Sequence, residues 1–88
     1  MELKAFQQLI QDKYGRRDRE RGTPATFMWF VEEVGELATA LAGVDQKNKE
    51  EEFADVLAWL CTLANINGVD LDKALTDKYI KKPIDGFK

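Results

Sequence analysis

At 88 residues, 44% hydrophobic and 33% charged, the chain has room for one domain with a modest core; it is too apolar for disorder and too interrupted by charge for a membrane span. A net charge of -3 argues against a nucleic acid polymer as the main partner and leaves small phosphorylated molecules open. Histidine is absent, which removes the Glu-x-x-His pattern of di-iron bundles, most zinc sites and histidine-based triads, so any metal here must accept oxygen ligands. Charge among the first residues, Met1 to Phe6, interrupts the apolar core that an export signal needs, and the single cysteine, Cys61, excludes an internal disulfide. A cytoplasmic protein without a membrane segment is expected.

Breakers divide the chain into four helical segments with no alternation of period two, which predicts an all-α fold over residues 1–88 as a single domain. Helix one is expected from about Glu2 to Tyr14, with Leu3, Phe6, Leu9 and Ile10 on one face, Gln7, Gln8, Gln11 and Asp12 largely opposite, and Gly15 as its end. Arg16 to Gly22 reads as an irregular, solvated loop whose positive charge could screen a triphosphate. Thr23 and Pro24 supply an N-cap and a first helical proline for helix two, which should continue to about Ala42 on the spacing of Phe27, Phe30, Val31, Val34, Leu37, Ala38 and Leu41 before Gly43. Val44 to Asn48 is a predicted loop, with Asn48 and Glu51 as a capping box for helix three, which runs to about Asn67 and stops at Gly68. Asp70 caps a short fourth helix that Pro83 ends. From Phe53 to Ile66 helix three is apolar on nearly every side, so it must be central or shared with another copy, and a homo-oligomer is expected.

Two acidic pairs interrupt these apolar stretches. Glu33 with Glu36, and Glu52 with Asp55, stand at i,i+3, a spacing that puts both carboxylates of a pair on one helical face. Glu50 and Glu51 are accounted for by the macrodipole at the start of helix three, an argument Glu52 shares in part. Glu33 and Glu36 lie too far into helix two for that, on a stripe with Trp29 and Ala40; Asp55, a poor helix former, sits between Phe53-Ala54 and Val56-Leu57. Glu32 falls on a different strip and reads as peripheral. Four carboxylates facing one another repel unless cations intervene, and an all-oxygen donor set suits Mg²⁺, with Mn²⁺ as the other choice. Such ions serve hydrolysis of a phosphoanhydride, and with no Walker motif the ions themselves must do most of the phosphate binding.

Glu32-Glu33-x-x-Glu36 followed by Glu52-x-x-Asp55, in the settings Phe30-Val31-Glu32-Glu33-Val34-Gly35-Glu36-Leu37-Ala38 and Glu52-Phe53-Ala54-Asp55-Val56-Leu57, resembles the MazG-type nucleoside triphosphate pyrophosphohydrolases over about the whole chain. The resemblance implies a four-helix protomer that assembles into a larger helical bundle as a homodimer or homotetramer. It also implies cleavage of a nucleoside triphosphate between the α and β phosphates, to a monophosphate and pyrophosphate, in cleaning the nucleotide pool. By the same resemblance Glu33, Glu36, Glu52 and Asp55 are the Mg²⁺ ligands, Glu32 has a supporting place, and Trp59 stands where related enzymes can use an aromatic near the nucleotide. Lys78-Tyr79-Ile80-Lys81-Lys82 is similar to the family's Lys-x-x-Lys-Asn, which would put Lys78 and Lys81 near phosphates, but Lys82 replaces the asparagine. Related dUTP and phosphoribosyl-ATP hydrolases share the carboxylate logic. The rival of another class is a non-catalytic oligomerisation or regulatory module whose acids bind counterions or pair with lysines.

Overall fold

Helix α3, Gln46–Ile66, packs along both α1, Leu3–Arg21, and α2, Thr23–Ala42, in this computed structural model, which describes residues 1–81. A short α4, Leu71–Leu75, follows and continues as a π-helical turn, Thr76–Ile80. Among the described residues there is no strand, and the all-α expectation holds. Ile10 of α1, Ala40 of α2, and Cys61 and Ala64 of α3 form the buried apolar core. Cys61 is fully enclosed, and burial pushes its thiol above the ordinary range, so it acts as a small apolar group.

Helix α1 does not end at Gly15. One glycine inside a helix costs only about 1 kcal/mol, and the charged segment after it supplies helical partners: Arg16 reaches Glu20 at i,i+4 and Arg21 reaches Asp18 at i,i+3. The stop comes at Gly22, where φ is +81° and a side chain would be strained. Gly22 also takes the N-cap place of α2, so Thr23 is the first residue of that helix rather than its cap. At the start of α3 the capping box yields to Asp45, whose Oδ1 accepts from the Asn48 amide at 3.2 Å, and the helix begins two residues before Asn48. This moves Glu50 and Glu51 out of the first turn and removes the macrodipole as their explanation. Asp70 does cap α4, accepting from the Lys73 amide at 3.2 Å. The expected end at Pro83 lies outside the described residues.

Gln7 is buried, not on a solvated face. Its Nε2 donates to Asn65 Oδ1 (2.9 Å) and to the Val69 carbonyl (2.7 Å), and its Oε1 accepts from the Leu71 amide (3.0 Å). This amide ties α1 to the end of α3 and the start of α4. The apolar stripes, by contrast, lack cover: Val31 is 51% and Phe53 56% exposed, and Phe27, Val34, Leu41, Leu57 and Leu60 stand open beside them.

The two glycines give opposite predictions. A Cβ at Gly15 meets only the flexible tips of Gln11 and Arg19, so Gly15→Ala should raise stability by about 0.5–1 kcal/mol in urea unfolding. Gly22→Ala, at positive φ, should lower it by about 1 kcal/mol or more. Destabilisation by Gly15→Ala would mean that α1 breaks there.

Candidate metal centre and adjoining cavity

Helices α2 and α3 run antiparallel, as the pairing of Trp29 with Trp59 and of Thr23 with Asn67 requires. That alignment sets the Glu33 and Glu36 stripe of α2 opposite the Glu52 and Asp55 stripe of α3. Carboxylate oxygens of Glu33, Glu36 and Glu52 lie within 4.8 Å of one another. Asp55 stands outside that closest set but near enough for its charge to act on both Glu33 and Glu52. Glu32 is exposed and does not join the cluster.

Glu33 Oε2 and Glu52 Oε2 are buried and have no hydrogen-bond partner. Among the described residues no lysine or arginine pairs with any of the four acids. The charged forms of Glu33 and Glu52 are therefore disfavoured. Desolvation, then the Glu36 charge and a hydrogen bond with Glu36, then Asp55 and Glu52, raise the Glu33 carboxyl to about 7. Glu52 is also raised, first by desolvation and then by Glu36, Asp55 and Glu51. Orphaned acceptors, mutual repulsion and a purely oxygen donor set together fit a hard divalent cation.

One turn from the acids on each helix, Trp29 and Trp59 stack with ring centres 6.2 Å apart and planes at 15°. Beyond them α1 and α3 enclose a cavity of about 290 Å³ lined by Ile10, Tyr14, Arg17, Asp18, Arg21, Ala58, Trp59 and Thr62. Arg21 crosses from one helix to the next: Nη2 donates to Asp18 Oδ1 at 2.5 Å and Nε to Thr26 Oγ1 at 3.0 Å, which sets its guanidinium 5.0 Å from the Trp59 ring centre. Asp18 and Thr26 are both buried. The loop expected over Arg16 to Gly22 hides this trio; the i,i+3 spacing of Asp18 and Arg21 is the signal in the sequence that would reveal it.

Trp59 is thus beside both the acids and the cavity. Lys78 and Lys81 are not: Lys81 pairs with Asp77 at 3.5 Å, Lys78 lies over the Tyr79 ring, and neither lines the cavity or touches a cluster carboxylate. Lys82 lies outside the described residues.

A family model described as MazG nucleotide pyrophosphohydrolase domain matches residues 21–85, which takes in α2, α3 and all four acids; most of α1 precedes it. No curated protein matches the chain.

The Glu33 shift predicts how the metal-free protein responds to pH. Below about 4.5 the carboxyl is protonated in both states; between 4.5 and about 7 the folded chain keeps a proton that the unfolded chain releases. Stability therefore falls as pH rises through that window and levels off above it. The Tm without divalent cations should show this fall, and Glu33→Gln should remove most of it. A Tm that stays flat, or rises, from 4.5 to 7 would mean that these carboxyls are solvated.

Proposed function

The chain belongs to the MazG nucleotide pyrophosphohydrolase family, and on that premise we propose that it is a Mg²⁺-dependent enzyme that cleaves a nucleoside or deoxynucleoside triphosphate between the α and β phosphates. The products are the monophosphate and pyrophosphate. The observation that carries this reading is the convergence of Glu33, Glu36 and Glu52 oxygens within 4.8 Å of one another, beside a buried, unpartnered Oε2 on both Glu33 and Glu52. Glu33, Glu36 and Glu52 would hold the cation from the two facing helices, with Asp55 at the border of the set and Glu32 in a supporting place outside it. When bound, Mg²⁺ or Mn²⁺ supplies an activated water and neutralises charge on the phosphates. The protein contributes position. Two antiparallel helices fix the carboxylates before substrate arrives, and the tryptophan stack, one turn away on each helix, pins α2 against α3 beside them. Because the Glu33 carboxyl holds its proton up to about 7, cation binding displaces that proton and strengthens as pH rises toward neutrality.

A role in clearing the nucleotide pool of the cytoplasm suits this chemistry. Among the described residues no helix is long and apolar enough to cross a membrane. The uncovered stripes of Val31 and Val34 on α2 and of Phe53, Leu57 and Leu60 on α3 support a homodimer or homotetramer. Light scattering should return one of those masses, and Leu57→Asp should shift it toward the monomer. A wild-type monomer at assay concentration would refute the assembly.

Activity is tested with a panel of nucleoside and deoxynucleoside triphosphates and Mg²⁺, following products by phosphorus NMR. Pyrophosphate should appear first. Glu36→Gln and Asp55→Asn should each lower kcat/KM by more than the ~100-fold that loss of an outer partner costs a metal site, and should abolish the Mg²⁺-dependent rise in Tm. No turnover of any triphosphate at high enzyme concentration would overturn the reading, and orthophosphate as first product would point to a different bond.

A further inference from the structure

We propose that Arg21 is a positioning residue for the carboxylate cluster: it holds Trp59 in its stack on Trp29, and that stack fixes how far apart α2 and α3 carry their acids. This rests on the metal reading above. Trp29 precedes Glu33 by four residues and Trp59 follows Asp55 by four, so each ring lies one turn from an acid on its own helix. The rings meet with centres 6.2 Å apart and planes at 15°, which makes them the spacer between the two helices beside the cluster. Trp29 is 48% exposed, so the ring of Trp59, rather than enclosure, sets its place. The position of Trp59 therefore matters to both helices.

Arg21 is bound in a way that charge pairing alone does not explain. An arginine facing one carboxylate can offer Nε and Nη2 side by side, one to each oxygen. Here the fork is split: Nη2 donates to Asp18 Oδ1 at 2.5 Å, within α1, while Nε donates to Thr26 Oγ1 of α2 at 3.0 Å. The split leaves Asp18 Oδ2 buried and, among the described residues, without a hydrogen-bond partner. A buried acceptor without a donor costs stability, so the diverted Nε answers a different need. That need is orientation. Two donors fixed on different helices define the plane of the guanidinium, whose central carbon lies 5.0 Å from the Trp59 ring centre. Thr26 is fully buried and the Arg21 side chain only 20% exposed, so both ends of this tie are held. A line of contacts thus runs from Asp18 through Arg21 and Trp59 to Trp29, joining α1, α2 and α3 at the edge of the cluster. A lysine could neutralise Asp18, but it has neither the fork nor the flat face.

Two variants test this. Arg21→Lys keeps the charge beside Asp18 and loses the fork; Thr26→Val keeps Arg21 and its pair with Asp18 and removes only the acceptor of Nε. The first readout is the circular dichroism of the tryptophan pair, taken as the difference between each protein and its Trp29→Phe derivative. The second is affinity for Mn²⁺ alone, by electron paramagnetic resonance, and both are read below the melting temperature of each variant. Each variant should lose most of the pair signal and bind Mn²⁺ about 10-fold more weakly, the lower end of what removing an orienting partner costs a metal site. An undiminished pair signal in both variants, or a lost signal with unchanged Mn²⁺ affinity, would overturn the proposal. Should neither variant fold, the wild-type Arg21 Nε–H decides: a resolved, slowly exchanging proton resonance is expected, and exchange as fast as that of a solvated arginine overturns the tie. If wild type binds no Mn²⁺, the metal reading fails, while the pair signal still decides whether Arg21 holds the stack.

Discussion

Repulsion among carboxylates held between α2 and α3 is the constraint around which the rest of this domain is arranged. Helices normally turn their apolar stripes inward; here the stripes that meet between α2 and α3 carry Glu33 and Glu36 on one side and Glu52 and Asp55 on the other. Two buried oxygens without partners, and a Glu33 carboxyl raised to about 7, are what that arrangement costs the chain without a cation. A helix contact built for stability alone would not leave those oxygens unpaired. The surrounding structure must therefore supply stability from elsewhere, and the buried apolar set within the chain is small, limited to Ile10, Ala40, Cys61 and Ala64.

The displaced apolar surface follows from the same constraint. With acids on the stripes that face each other, Val31, Val34, Phe53, Leu57 and Leu60 are turned outward and stay exposed in the single chain. Burial of such stripes against a second copy would return the hydrophobic stabilisation that the acidic face between α2 and α3 forgoes. On the proposed reading, assembly and metal binding address one deficit from two sides.

Much of this was legible in the sequence because the signals were local and repeated. The i,i+3 spacing of the acids, their position beyond the first turn of helix two, and the lack of histidine pointed to an oxygen-ligand site on two facing helices, and the facing is what the structure displays. Errors arose where one residue type was given too much weight. Gly15 reads as a stop, though the charge pairs after it carry α1 onward, and Asn48 reads as a cap, though Asp45 captures the Asn48 amide. Gln7 could not have been read correctly from α1 alone, since its partners Asn65, Val69 and Leu71 lie about sixty positions away along the chain.

The error at Gly15 had the widest consequence, because the six residues after it carry the link between the helices. As a loop, Arg16 to Arg21 is a cloud of positive charge without direction. As a helix it places Asp18 and Arg21 on one face, closes against Thr26 of α2, and fixes a guanidinium over Trp59. Helix α1 thereby acquires a wall of the cavity that α3 only half encloses. The acids sit on α2 and α3, within the residues that match the family, whereas most of the opposite cavity wall precedes them. Helix α3 thus serves both the acids and the cavity, whereas α1 meets the cavity alone, so sequence change in α1 away from Asp18 and Arg21 can alter that wall without disturbing the carboxylates.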